Sequence, residues 1–134
     1  MALILGGSRG IGGGITESFA RCGARVVFTH TGNTAYSERL DAMLEALRAE
    51  GCDVTAAVSD ARSPAEVSQT ARQVLDDLGA IDILVVNVGQ NTAGPAEERS
   101  DEAWLDAVQI NLSAVFYGVR AVLPAMVEAG SREI

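Results

Sequence analysis

Gly6-Gly7-Ser8-Arg9-Gly10-Ile11-Gly12 stands between two stretches of different periodicity. Before it, Ala2-Leu3-Ile4-Leu5 is an unbroken apolar run that reads as a buried first strand. After it, Ile11, Ile15 and Phe19 recur every four residues, which reads as the inner face of a helix. A glycine-rich turn between strand and helix lets the backbone approach a pyrophosphate, whose charge then faces the free N–H groups of the helix N-terminus. Glycines are also tolerated in any tight turn. The second strand, at Arg25-Val26-Val27-Phe28-Thr29, decides between these readings. It completes a βαβ unit of about 30 residues, the context that marks a dinucleotide site.

Strands and helices alternate along the rest of the chain, the pattern of a doubly wound parallel sheet in an α/β fold. The first helix is expected from Gly10 to Cys22, stopped by Gly23, with Gly12, Gly13 and Gly14 weakening it. A polar loop, His30 to Thr34, leads to a helix from Ala35 to Glu50 carrying Leu40, Met43, Leu44 and Leu47 on one face. Asp53 to Val58 is a third strand. Ser63-Pro64-Ala65-Glu66 opens a third helix with Ser as N-cap, Pro at N1 and Glu closing a capping box. Its inner face is Val67, Ala71, Val74, Leu75 and Leu78, and Gly79 ends it. Ile81 to Val86 is apolar enough for a strand buried on both faces. A loop with Gly89, Gly94 and Pro95 then precedes a long helix from near Ser100. The expected stripe of that helix is Trp104, Val108, Leu112, Val115, Phe116, Val119, Val122, Leu123 and Met126, and Pro124 is expected to kink or shorten its last turns.

The 134 residues suit one domain, 1–134, and 48% hydrophobic content with three prolines indicates a globular chain. A net charge of −8 argues against nucleic acid or an anionic membrane as partner. Cys22 and Cys52 are too few for a disulfide scaffold, and no metal site is expected. No leader and no apolar segment long enough to span a bilayer are expected, so a soluble, cytoplasmic protein is expected.

The spacing Gly-x-x-x-Gly-x-Gly, with Ser8-Arg9-Gly10-Ile11-Gly12, resembles the short-chain dehydrogenase/reductase family, in particular its ketoacyl-reductase-like members. The resemblance implies a Rossmann-type sheet of order 3-2-1-4 in this chain, with Gly6, Ser8, Arg9, Gly10, Ile11 and Gly12 around the cofactor. Leu5 departs from the family's usual Thr, whose hydroxyl braces the turn. The end of strand two, Phe28-Thr29-His30-Thr31, carries no acid for a ribose 2′-hydroxyl. Arg9 with Thr31 or Asn33 suits a 2′-phosphate, so the expected cofactor is NADP rather than NAD. His30, the only histidine, stands at the adenine end, far from any nicotinamide. Asp60, followed by Ala61, aligns with the family's adenine-binding Asp. Asn87-Val88-Gly89 resembles the family's Asn-Ala-Gly beside the cofactor ribose, with Val86 in place of the usual preceding Asn. Asn111 interrupts the long helix's apolar stripe and matches the family's catalytic Asn.

The family's catalytic Ser and Tyr-x-x-x-Lys are not found. Tyr36 and Tyr117 are followed four residues later by Leu40 and Ala121, and all ten basic residues are arginines. The sequence thus reads as the N-terminal part of the fold, about four strands, with the fifth strand due near Ser131-Arg132-Glu133-Ile134. Alone it is not expected to be a competent reductase, since reduction of a ketone needs a proton donor. Three readings stay open: the cofactor-binding part of an NADP-dependent oxidoreductase acting on a carbonyl or alcohol, a split-enzyme subunit completed by a catalytic half, or a non-catalytic nucleotide-binding or interaction protein. The exposed sheet edge and helix stripe such a chain would carry predict a homo-oligomer or a complementing partner.

Overall fold

Leu3 and Leu5 point to one face of the first strand and Ile4 to the other, and the computed structural model, which describes residues 1–91 and 94–130, covers the two faces differently. Four parallel strands form one sheet in the order β3-β2-β1-β4: β1 is Ala2–Leu5, β2 Val26–His30, β3 Val54–Val58 and β4 Ile83–Val86. Helices α1 (Gly10–Arg21) and α2 (Ser37–Ala49) cover the Ile4 face, where Ala20, Leu40, Leu44 and Leu47 pack with Val26, Phe28 and Val54. Helix α3 (Pro64–Leu78) and the long C-terminal helical stretch cover the other face, where Val67, Ala71, Val74, Val122 and Met126 surround Leu3, Leu5, Val27 and Leu84. The expected strand order and doubly wound arrangement are both present.

Several local expectations need correction. The buried face of α1 is Gly12, Gly13, Thr16 and Ala20, one position on from the Ile11-Ile15-Phe19 series, and Ile11 is 77% exposed. Small residues face the sheet because the helix lies close to it. β4 is not buried on both faces: only Leu84 is fully buried there, since among the described residues β4 pairs on one side alone, with β1. Ser63 caps α3, its Oγ accepting from Glu66 N (3.3 Å), but Glu66 does not close the box; its carboxylate accepts from Asp60 N at 2.8 Å. The expected fifth strand near 131–134 lies outside the described residues.

The C-terminal stretch consists of α4 (Asp101–Val108), a wider π-helical turn (Gln109–Ser113) and α5 (Ala114–Ala129). Its irregularity is at that turn, and α5 continues past Pro124 to Ala129. Buried positions are Ile110, Ala114, Gly118, Val122 and Met126. Trp104, Leu112, Val115, Phe116 and Leu123, expected in the inner stripe, are exposed together with Leu105 and Val127. The reason is that both faces are apolar, so periodicity could not tell the sheet-facing one. For the same reason Asp101–Ala129 has the length and hydropathy of a bilayer span, contrary to the expectation that no segment does. That test does not separate a span from a helix packed on a sheet, and here the small residue Gly118 lets α5 close on Leu5 and Val86.

At the ends of α1 and α2, Arg21 donates to Glu50 and to Glu17, each at 2.8 Å. The hydrogen bond from Arg21 holds the Glu50 carboxyl below its usual range. The pair therefore contributes above the unfolded-state pKa, and the contribution is lost as pH falls through the folded one.

Of the three consecutive glycines, Gly12 alone is sterically required. A Cβ there would lie 2.1 Å from the Gly6 carbonyl oxygen, whereas one at Gly14 would meet nothing within 4 Å. Gly14→Ala is expected to stabilise the chain by about 0.5–1 kcal/mol, the helix-interior difference between these residues. Gly12→Ala is expected to destabilise it. Urea unfolding of both variants checks the opposite signs.

Candidate functional site

The glycine turn is pinned from below by two threonines. Thr29 accepts from Gly6 N through its Oγ1 and from Gly7 N through its carbonyl, both at 3.1 Å. Thr16, fully buried in α1, donates its hydroxyl to the Gly7 carbonyl at 2.9 Å. These bonds do the bracing that Leu5 cannot: Leu5 is buried among Leu3, Leu84 and Val122. The sequence reading missed both threonines, although Thr16 four residues after Gly12 marks a polar group beneath the turn.

The result is a helix N-terminus with its donors left open. Arg9 occupies the N-cap position without capping, and no acid lies in the first turn of α1. The N-caps of α3 and α4, Ser63 and Ser100, each accept a backbone N–H. The N–H groups at the start of α1 meet a cleft of about 560 Å3 along the C-terminal ends of all four strands. In an open parallel sheet this is where ligands bind. Gly6, Ser8, Arg9, Gly10, Ile11, Thr31, Asp60, Ala61, Asn87, Val88 and Gly89 line it, with Ser59, Arg62 and Gln90 added. Ser59 Oγ is buried there without a hydrogen-bond partner among the described residues. Gly12 sits beneath the cleft; a Cβ on it would also come within 2.8 Å of Asn87 Nδ2. Asn33 lines a smaller adjoining cavity of about 140 Å3 with Ser8, Arg9, Thr31 and Tyr36. Its Oδ1 accepts from Ala35 N (3.0 Å), which leaves its amide N–H groups as the available donors.

The opposite end is held by a side-chain relay. Asn111 does not face the core as expected; it is exposed, on the π-helical turn. Its Oδ1 accepts from Gln90 N (3.2 Å), and its Nδ2 donates to Gln90 O and Ala107 O, both at 2.9 Å. The wider turn places this amide against the loop that follows β4. Gln90 Oε1 in turn accepts from Arg62 Nη2 (2.7 Å). Arg62 also pairs with Asp106 at 2.8 Å and, more loosely, with Asp60 at 3.4 Å. Asp60 and Asn111 are thereby joined through Arg62 and Gln90, two residues that no motif singled out. His30 lies at the Arg9 end, its Nδ1 accepting from Gly32 N. A separate groove of about 430 Å3 between α3 and β3 holds none of the expected site residues.

A family model described as short chain dehydrogenase matches residues 1–134. Gluconate 5-dehydrogenase of Gluconobacter oxydans is 36% identical over 133 residues, 99% of this chain and 50% of that protein. A solved variant of actinorhodin polyketide ketoreductase with NADPH superposes with a TM-score of 0.86 at 35% identity, covering 96% of this chain and 49% of that one. A metagenomic short-chain oxidoreductase in complex with NADP does so with a TM-score of 0.87 at 32% identity, covering 96% and 57%. The chain spans about half the length of the curated relatives it matches.

The Thr16 hydroxyl holds the Gly7 carbonyl from within α1. Thr16→Val is expected to cost about 1–3 kcal/mol, because the Gly7 carbonyl would be left buried and unpaired. Thr16→Ser should retain most of that stability. Chemical denaturation of the two variants measures the difference.

Proposed function

The chain belongs to the short-chain dehydrogenase family, and we propose that it is the N-terminal, cofactor-holding part of an NADP-dependent oxidoreductase that reduces a carbonyl or oxidises an alcohol. The observation that carries this reading is the open N-terminus of α1, facing the cleft with Arg9 beside it and no acid at the end of β2. Such a helix end accepts a pyrophosphate, and a guanidinium beside it selects a phosphorylated ribose.

Each candidate residue then takes a part. The N–H groups from Ser8 to Gly12 face the pyrophosphate. Arg9, Thr31 and the Asn33 amide hold the 2′-phosphate. Asp60 and Ala61 border the adenine, and Asn87, Val88 and Gly89 border the second ribose. NADPH supplies a hydride when bound. Asn111 secures the loop at that end and is the chain's contribution to the catalytic group. Proton donation is assigned to the part of the relatives' length that these residues do not span, since neither tyrosine here has a lysine four residues on. Solved relatives with NADPH and with NADP support the choice of cofactor.

A homo-oligomer is part of the same reading. Trp104, Leu105, Leu112 and Phe116 are each more than half exposed along α4, the π-helical turn and α5. Exposed large apolar side chains along one helical stretch favour an interaction surface.

Two outcomes test the proposal. Arg9→Ala is expected to weaken NADPH binding by about 1.5–3 kcal/mol, the range for hydrogen bonds to charged groups, with NADH nearly unchanged. Calorimetric titration of both nucleotides decides it, and equal losses would reject the 2′-phosphate role. For assembly, sedimentation over a tenfold concentration range should show self-association that Phe116→Glu diminishes. A monomer at every concentration would remove the oligomer from the reading.

A further inference from the structure

Arg9 reaches its cavity from a backbone that is fully extended (φ −160°, ψ 171°), and its long side chain forms no ion pair among the described residues. What holds it is an aromatic ring. The guanidinium carbon lies 4.5 Å from the centroid of Tyr36, across the small cavity that Ser8, Thr31 and Asn33 also line. We propose that Tyr36 is a positioning residue for Arg9 and, through it, sets the preference for a 2′-phosphorylated dinucleotide; this rests on the nucleotide-binding reading above.

The geometry of a guanidinium explains why a ring is suited to this task. All five N–H groups lie in the plane, so a ring on one face leaves every donor on the edge free for a phosphate. A carboxylate partner would occupy those donors and repel the ligand. The stack also restrains a flexible side chain before ligand arrives, which lowers the ordering cost of binding. Tyr36 is itself well placed to restrain Arg9. It ends the 3₁₀ turn Thr34–Tyr36, which is stitched by Asn33 Oδ1 accepting from Ala35 N (3.0 Å) and by Ser37 Oγ donating to Thr34 O (2.9 Å). Tyr36 is 44% exposed, so it is no core residue. Its hydroxyl makes no hydrogen bond among the described residues, which leaves the ring face as its working part.

The test compares the full chain with Tyr36→Phe and Tyr36→Leu, titrating each with NADPH and with NADH. Phe keeps the ring, so its NADPH affinity should stay within about twofold of the parent, whereas Leu should weaken NADPH about three- to tenfold, as expected for loss of a cation–π contact. NADH affinity should be unchanged in both. In an Arg9→Ala background, Tyr36→Leu should cost nothing further. A ring-current shift on the Arg9 Nε–H resonance, present in the parent and Phe proteins and lost in Leu, reports the stack without any nucleotide. Equal losses for NADPH and NADH in the Leu variant would mean that Tyr36 only seats the loop, and would overturn the inference. So would a Phe variant that behaves like Leu, or an absent ring-current shift. A parent chain with a normal ring-current shift but no NADPH binding would instead overturn the nucleotide reading, and this inference with it.

Discussion

The first helix lies directly against the turn that leads into it. No side chain can stand at residue 12, because the Gly6 carbonyl oxygen occupies the space and Asn87 closes it from β4. This one exclusion sets the height of α1 over the strand ends. It also brings the β1 turn and the β4 terminus together, which is what makes the cleft continuous from Arg9 to Gly89. The buried Thr16–Gly7 bond and the two bonds to Thr29 hold the arrangement from beneath. Small residues on the inner face of α1 are the packing consequence of the same constraint.

Where the sequence was legible, a single physical cause governed the pattern. β1 is bounded by its apolar run and a glycine turn, and its observed limits, Ala2–Leu5, are those of the run. Ser63-Pro64 and Gly79 punctuate α3 because an N-cap, an imino residue and a left-handed C-cap act locally. Legibility ended where two causes produce one pattern. The long helix is apolar on both sides, so its periodicity did not tell the sheet-facing stripe at Ile110, Ala114, Gly118 and Val122 from the exposed one. Ile11 belongs to a hydrophobic repeat that does not coincide with the buried face of α1. Close packing had reserved that face for glycine, threonine and alanine.

The site shows the same division. Gly6, Gly10, Asn87 and Gly89, embedded in a glycine or Asn-x-Gly pattern, line the cleft. Arg62, Gln90 and Tyr36 belong to no local pattern, because their partners lie far off in the chain: Gln90 for Arg62, and Arg9 for Tyr36. Long-range side-chain pairing leaves no spacing to read. The π-helical turn at Gln109–Ser113 is a further case. It departs from α-helical winding where the Asn111 amide bonds both the Ala107 carbonyl and the Gln90 backbone, and such turns are frequent at functional sites.

The bare N-terminus of α1 has a thermodynamic corollary. α3 and α4 carry their own serine caps, so their ends are complete as soon as the chain folds. α1 supplies neither a capping side chain nor a first-turn acid, and the missing counter-charge has to come from solution. Any anion that binds the folded turn and not the unfolded chain raises apparent stability by mass action, by about 2.7 kcal/mol at a hundredfold excess over its dissociation constant. The melting temperature of such a protein is then a property of the medium as well as of the chain. Phosphate or sulfate in a buffer would act as a reagent, and α1 would be the helix whose order follows anion supply.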